Sequence, residues 1–208
     1  MSSLFVIGMG PGNPDYILPV AFKTANKCDV LVGARRYLNL FDKPQGHLIE
    51  LTGNLEPVLL SAETWYKQGK RVGFLVSGDP GIFSLLPLLK TRFPDNDIEV
   101  IPGISSVQYL FAKLKRSWHD CEVVSMHGRQ DVDLLSKVRN TRLLAVLTDN
   151  SNTPSAIARS LVRAGLKDKR ITVGSRLSWP GELIITGSPE LISQVDFDGM
   201  CVVVIEDE

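Results

Sequence analysis

Apolar runs of strand length alternate along most of the chain with segments whose apolar residues recur at helical spacing. The run 72–76 is apolar without interruption and so is 143–147, a pattern typical of strands buried on both faces of a parallel sheet. Further strands are predicted at 4–8, 29–33, 47–51, 98–101 and 122–126. This alternation predicts an α/β fold.

The pattern changes in the last third of the chain. Two strand-like runs, 170–176 and 182–186, are joined by a short turn, and an apolar run at 201–205 follows them. These features predict a mixed C-terminal sheet with a hairpin, whereas the N-terminal sheet should be mostly parallel. The polar segment 113–118 marks the predicted boundary, which gives an N-terminal α/β domain at 1–114 and a C-terminal α/β domain at 115–208.

Loops rich in glycine and proline follow three of the predicted strands. Asp15 is expected to cap a helix over 16–27 after the first loop, and further helices are expected over 82–93 and 104–114 after the other two. In an open α/β sheet, ligands bind outside the carboxyl ends of the strands. These loops are therefore the candidate binding site, and 77–81 is the most central of them.

Composition and charge narrow the range of functions. The 208 residues carry 23 Lys and Arg against 23 Asp and Glu, so no general attraction to nucleic acid or to a membrane is expected. The three cysteines are isolated, which favours a reducing cytoplasm, and no apolar stretch reaches the length of a membrane span. The start of the chain lacks a basic region, so export is not expected either.

The usual catalytic groups are scarce. The sequence contains neither a Gly-x-Ser-x-Gly motif nor a phosphate-binding Gly-x-x-x-x-Gly-Lys loop, and no metal site is expected because no histidine pair has ligand spacing. Such a chain suits a cofactor that carries its own reactivity. The first loop departs from the dinucleotide fingerprint at Asn13, although Arg35 and Arg36 could bind a 2′-phosphate, so an NADP-dependent oxidoreductase stays an alternative.

Five motifs follow one another along the chain: Gly8-Met-Gly-Pro-Gly12, Ser77-Gly-Asp-Pro-Gly81, Ile101-Pro-Gly-Ile-Ser-Ser106, Leu147-Thr-Asp149 and Glu182-Leu-Ile-Ile-Thr-Gly187. In this order and at these separations, they resemble the tetrapyrrole (corrin/porphyrin) methyltransferase family. The resemblance covers essentially the whole chain and is specific because five ordered motifs match. Within the family, the segment 125–129 and the loop 77–81 look most like the members that methylate carbon 5 of a late precorrin in cobalamin biosynthesis, here in the stand-alone form.

The resemblance implies a two-domain homodimer that binds S-adenosylmethionine in the interdomain cleft and releases S-adenosylhomocysteine. The substrate would be a polycarboxylate corrinoid, and a separate decarboxylating C15-methyltransferase is a possible partner. A catalytically inactive corrinoid-binding subunit stays a second alternative. The cofactor-binding residues carried over by position are Pro11, Ser77, Gly78, Asp79, Ile82, Ser105, Ser106, Leu147, Val173, Gly174, Ile185 and Thr186.

Two further residues are candidate catalytic residues that would contact the substrate. His127 follows a predicted strand and could move a proton on the substrate, with substrate positioning or a structural hydrogen bond as the alternative. Arg129 belongs to the same motif loop and is the favoured arginine for a substrate carboxylate.

Overall fold

Two five-stranded sheets, each covered by helices, make up the computed structural model, which describes residues 3–42, 47–126, 133–197 and 199–207. Contacts divide the chain into one unit ending at Ser105 and another beginning at Ser106. The strands are β1 (Leu4–Gly8), β2 (Val30–Gly33), β3 (His47–Glu50), β4 (Val72–Val76), β5 (Ile98–Ile101), β6 (Glu122–Ser125), β7 (Leu143–Leu147), β8 (Lys169–Ser175), β9 (Leu183–Gly187) and β10 (Cys201–Asp207). The helices are α1 (Pro19–Lys27), α2 (Arg35–Leu38), α3 (Leu55–Lys67), α4 (Leu86–Lys90), α5 (Ser106–Lys113), α6 (Leu134–Asn140), α7 (Pro154–Arg163) and α8 (Pro189–Ile192).

The first sheet is parallel throughout, in the order β3-β2-β4-β1-β5. Successive side chains point to opposite faces, so the two faces bury different residues. Val6 and Phe74 pack with α3 and α4, whereas Ile7 and Leu75 pack with α1 and α2. The prediction of a mostly parallel N-terminal sheet is therefore confirmed.

A change of helix side occurs between the adjacent strands β1 and β4. The chain leaves β1 into α1 on one face of the sheet and leaves β4 toward α4 on the other. Loops that depart to opposite faces of an open sheet leave a crevice at the carboxyl ends of their strands, which is the usual ligand position. The fold thus places the loops after β1 and β4 at the switch point of the first unit.

The second sheet has the order β6-β7-β10-β8-β9, with β6 parallel to β7 and the remaining neighbours antiparallel. Helices α6, α7 and α8 cover one face, where Val146, Val173 and Val203 are buried. The predicted mixed sheet with a β8–β9 hairpin is confirmed. No helix in the described part of the chain has the length and apolar character needed to cross a bilayer.

Helix α5 was expected in the first domain, but it packs with strand β10 and belongs to the second unit. The contacts therefore divide the chain before this helix, at Ser105, whereas the predicted boundary after residue 114 follows the helix. A boundary at 114 stays a prediction.

Two helices begin later than the pattern predicted. Asp15 does not cap a helix; the Asn13 side chain accepts a hydrogen bond from the Asp15 N–H and caps a short 3-10 helix, and α1 begins only at Pro19. The helix expected from residue 82 begins at Leu86, because Phe83 has a φ of 47°, which a right-handed helix cannot include.

Helix α3 offers a direct test of the core on the α3/α4 face, because two adjacent leucines differ in burial. Leu59 is 2% exposed and Leu60 is 50% exposed. Leu59→Ala should lower the free energy of unfolding by about 2 to 5 kcal/mol, because it leaves a cavity. Leu60→Ala should change it by no more than about 0.5 kcal/mol. Urea unfolding curves of both variants check this, and equal losses would contradict the assigned packing.

Candidate functional site

The loops after β1 and β4 are joined by backbone hydrogen bonds at the carboxyl edge of the first sheet. The Gly78 N–H donates to the Gly10 carbonyl oxygen at 2.8 Å, and the Gly10 N–H donates to the Gly78 carbonyl oxygen at 3.3 Å. Both glycines have positive φ, 72° for Gly10 and 66° for Gly78. Because this backbone region strongly favours glycine, the pairing of the two loops depends on residue type.

Three glycines from different strand ends meet behind this pairing. A Cβ added to Gly8 would lie 2.7 Å from Gly103 Cα and 2.8 Å from the Gly78 carbonyl oxygen. A Cβ added to Gly103 would overlap the Gly78 carbonyl oxygen and approach Gly8 Cα to 2.9 Å. The loops after β1, β4 and β5 are therefore packed backbone against backbone, with no room for a side chain.

The Asp79 carboxylate fastens two of these loops. Its Oδ2 accepts a hydrogen bond from the Gly103 N–H at 2.9 Å, and its Oδ1 accepts one from the Gly81 N–H at 2.7 Å. Each carboxylate oxygen has two lone pairs, so both retain acceptor capacity. Asp79 is half-buried and brings a negative charge to the switch point.

A second cluster extends the edge toward β2. Arg36 Nη2 donates to Ser77 Oγ at 2.7 Å and to the Tyr37 hydroxyl oxygen at 3.3 Å, and the Tyr37 hydroxyl lies 2.9 Å from Ser77 Oγ. The Arg36 guanidinium also stacks over the Tyr37 ring, 4.6 Å from its centroid. Arg35 instead faces Glu50 at 3.6 Å, in an exposed ion pair.

The remaining predicted residues of the first unit lie in the same loops. Pro11 is half-buried within the β1 loop, and the Ile82 N–H donates to the Asp79 carbonyl oxygen at 3.3 Å. Ser105 is buried and precedes Ser106, the first residue of α5. The structure thus brings Ser77, Gly78 and Asp79 together with the Gly10 and Gly103 loops.

In the second unit, strand register divides the predicted residues between two faces. Leu147 and Gly174 both pair with Val202 and share a face, whereas Val173 pairs with Ile185 on the opposite face, which packs on the buried core. Val173 is fully buried, so its side chain is not available to a ligand.

Two leucine side chains pack directly against Gly174. A Cβ on Gly174 would lie 2.8 Å from Leu177 and 3.0 Å from Leu110. Thr186, exposed and on the same face as Gly174, shares a hydrogen bond of 2.9 Å with Thr172 Oγ1.

The β8–β9 loop is held by one glutamate. Glu182 accepts a hydrogen bond from the Ser178 N–H at 2.7 Å and forms an ion pair with Lys113 at 3.1 Å. Burial raises the pKa of Glu182, but hydrogen bonds from Ser178, Tyr109 and Lys113 outweigh it, so the pKa lies below its ordinary value. Arg176 and Ser178 have positive φ, 50° and 68°, so the loop holds strained backbone that this carboxylate helps to retain.

His127 and Arg129 lie outside the described residues, so their predicted roles stay predictions. Burial raises the pKa of the Cys121 thiol, immediately before β6, to about 11. Within residues 3–42, 47–126, 133–197 and 199–207, no three His, Cys, Asp or Glu side chains are grouped as metal ligands.

Some residues of this edge were not singled out from the sequence. Gly10 and Gly103 belong to the quoted motifs, but their close contacts join segments far apart in the chain. Tyr37 carried no signal, since a tyrosine in a short helix after a strand is ordinary. Only the parallel pairing of β2 with β4 brings it to Ser77.

Comparison with known proteins identifies relatives over the full chain. The family model described as Tetrapyrrole (Corrin/Porphyrin) Methylases matches residues 3–191. A probable cobalt-precorrin-7 C(5)-methyltransferase of Methanocaldococcus jannaschii is 33% identical, over 98% of this chain and 97% of that protein. The cobalt-precorrin-7 C(5)-methyltransferase of Salmonella typhimurium is 30% identical, over 98% and 99%.

A solved structure supports the fold independently. Uroporphyrin-III C-methyltransferase from Thermus thermophilus, complexed with S-adenosylhomocysteine, superposes with a TM-score of 0.76 at 23% identity, covering 99% of this chain and 97% of that one.

The contact of the three glycines predicts a sharp difference between two substitutions. Gly103→Ala should lower the free energy of unfolding by about 1 to 3 kcal/mol, because the added methyl must displace backbone. Gly53→Ala is the control, since nothing lies within 4 Å of a Cβ there; it should be neutral or stabilising by less than about 1 kcal/mol. Chemical unfolding measures both, and a neutral Gly103→Ala would contradict the packing.

The lowered pKa of Glu182 predicts a pH-dependent contribution to stability. A carboxyl whose folded pKa is depressed stabilises the protein above its unfolded pKa of about 4.3, and this stabilisation is lost as the pH falls through the folded value. The free energy of unfolding of wild type should therefore exceed that of Glu182→Gln, and this difference should be largest at pH 7 and shrink below about pH 4.

Urea midpoints of both proteins between pH 3 and pH 7 measure this difference. Glu99→Gln, which neutralises an exposed glutamate on the edge strand β5, controls for the loss of one negative charge. A Glu182 difference that is constant with pH would contradict the assignment.

Proposed function

The chain belongs to the tetrapyrrole (corrin/porphyrin) methylase family, and from this membership we propose that it transfers a methyl group from S-adenosylmethionine to carbon 5 of cobalt-precorrin-7. Identity of 30% or more to two proteins of that name, over nearly the full length of each, supports this substrate and places the reaction in cobalamin biosynthesis. The observation that carries the proposal in the structure is the cluster of loops held by Asp79 at the switch point.

The donor groups at this edge fit the proposed cofactor. S-adenosylmethionine is a sulfonium cation with an amino acid end, so it needs a carboxylate and carbonyl oxygens near its positive groups and N–H donors near its carboxylate. Asp79 supplies the negative charge, and it keeps acceptor capacity after its two backbone hydrogen bonds. Ser105 and Ser106, at the start of α5, are proposed to lie against the cofactor carboxylate, because the first N–H groups of a helix have no partner within the helix itself.

Bound S-adenosylmethionine would supply an electrophilic methyl group, which a nucleophilic ring carbon of the corrinoid can attack directly. The protein then has to orient the reactants and exclude water, and orientation alone can lower such a barrier by roughly 7 to 11 kcal/mol. No protein nucleophile is required.

The second-unit residues are proposed for the adenine end of the cofactor. Leu147 and the backbone of Val173 and Gly174 would contact the base, with Ile185 and Thr186 beside it. Register places Ile184, rather than Ile185, in the row with Leu147 and Gly174, so Ile184 joins the proposal.

Several parts of the proposal rest on the family alone. His127 would move a proton on the substrate or position it, and Arg129 would bind a substrate carboxylate. Homodimer formation, a cytoplasmic location and association with a separate decarboxylating C15-methyltransferase are likewise proposed from the family alone.

Isothermal titration with S-adenosylhomocysteine tests the role of Asp79. Asp79→Ala should raise the dissociation constant by about tenfold or more, because it removes both a charge and the fastening of the loops. His127→Ala should have a much smaller effect. Asp168→Ala, an exposed acid immediately before β8, should bind like wild type and controls for the loss of a charge. Equal losses for Asp79→Ala and His127→Ala would contradict these roles.

Thermal unfolding with added ligands distinguishes this proposal from the two alternatives. Ligand binding to the folded state raises the unfolding midpoint, so S-adenosylhomocysteine should stabilise the protein and NADPH should not. Stabilisation by NADPH alone would favour an oxidoreductase, and stabilisation by a corrinoid alone would favour a binding subunit. Methylation of cobalt-precorrin-7, followed by NMR of the product, then identifies the methylated carbon.

A further inference from the structure

Arg36 occupies a definite position at the carboxyl edge of the first sheet. It lies in α2, immediately after β2, and its side chain reaches the loop after the neighbouring strand β4. Ser77, which accepts its hydrogen bond, adjoins Gly78 of the glycine pairing. The contacts Arg36–Ser77, Gly78–Gly10 and Asp79–Gly103 thus link the ends of four adjacent strands, β2, β4, β1 and β5.

The charge of Arg36 is exposed and has no acidic partner in the described part of the chain. Its hydrogen bonds there go to the neutral hydroxyl groups of Ser77 and Tyr37, and both come from Nη2. Nε and Nη1 donate to no group among the described residues, whereas the neighbouring Arg35 pairs with Glu50. Arg36 is therefore the cation at this edge whose charge no described carboxylate neutralises.

The guanidinium is also held in place. It stacks on the Tyr37 ring, and Tyr37 is itself only 2% exposed and hydrogen-bonded to Ser77. Ordering an arginine side chain normally costs conformational entropy, and the stacking and hydrogen bonds of Arg36 lower the part of that cost that a ligand has to meet. A fixed, planar fork with free N–H donors matches the geometry of a carboxylate, which it can bind through two parallel hydrogen bonds.

We propose that Arg36 binds a carboxylate side chain of the corrinoid substrate and thereby orients the macrocycle across the strand ends. This inference rests on the proposed function, because it takes the substrate to be a polycarboxylate macrocycle. Neighbouring strands lie about 4.8 Å apart, so a macrocycle lying across the strand ends is wide enough to span from the switch point of β1 and β4 to the end of β2, where Arg36 lies. The cofactor has a single carboxylate, and titration of the cofactor distinguishes that source from the substrate.

The test is binding of cobalt-precorrin-7 to the protein saturated with S-adenosylhomocysteine, which permits a ternary complex without methyl transfer. Arg36→Ala should raise the dissociation constant of cobalt-precorrin-7 about tenfold or more, because a hydrogen-bonded charge pair is lost. The dissociation constant of Arg36→Lys should lie between those of wild type and Arg36→Ala, since lysine keeps the charge but lacks the two parallel N–H donors. Arg35→Ala, which removes the adjacent and already paired guanidinium, should bind within about twofold of wild type.

Affinity for S-adenosylhomocysteine should stay within about twofold of wild type in Arg35→Ala, and in Arg36→Ala it should fall much less than the affinity for cobalt-precorrin-7, because Arg36 reaches the proposed cofactor-binding residue Ser77 only through a hydrogen bond. A parallel loss of S-adenosylhomocysteine affinity in Arg36→Ala would assign the arginine to the cofactor and overturn the inference. Unchanged cobalt-precorrin-7 affinity in Arg36→Ala, with normal wild-type turnover, would overturn it while leaving the proposed function intact. A wild-type protein that binds S-adenosylhomocysteine but neither binds nor methylates cobalt-precorrin-7 would refute the proposed substrate and this inference together. Thermal unfolding of Arg36→Ala confirms that the variant is folded.

Discussion

One carboxylate, that of Asp79, connects the loops on which the site of the first unit depends. Its two oxygens accept hydrogen bonds from the backbone of Gly81 and Gly103, and these bonds span the ends of β4 and β5. The approach is possible only because Gly8, Gly78 and Gly103 meet without side chains between them. The shape of the binding edge is therefore determined by backbone packing, with a single charged group at its centre.

This construction explains why so little conventional acid–base equipment is needed. Reactivity in the proposed reaction belongs to the cofactor, so the protein contributes position and local charge. Backbone groups held by glycine contacts and by a carboxylate cannot reorganise at low cost, which keeps the N–H and carbonyl groups of these loops in place for a ligand. Asp79 accordingly has two roles, one in holding the loops and one in presenting negative charge.

The charges of the site are arranged in complementary positions. Asp79 provides a negative group near the switch point, and Arg36 provides a positive one toward β2.

Strained backbone occurs in a loop of each unit, at Phe83 after β4 and at Arg176 after β8. Such strain persists only where surrounding contacts retain it, and Glu182 is one of those contacts in the β8–β9 loop.

The sequence by itself determined the strands, the class of each sheet and the family, and it indicated the loops of the candidate site, because uninterrupted apolar runs and glycine–proline breaks are local signals. It misplaced the starts of two helices, since the positive φ of Phe83 and the capping by Asn13 depend on the surrounding loops. Only tertiary structure decided that Arg36 meets Ser77 and that Val173 and Gly174 serve opposite faces, because strand order and register bring together residues that the chain separates.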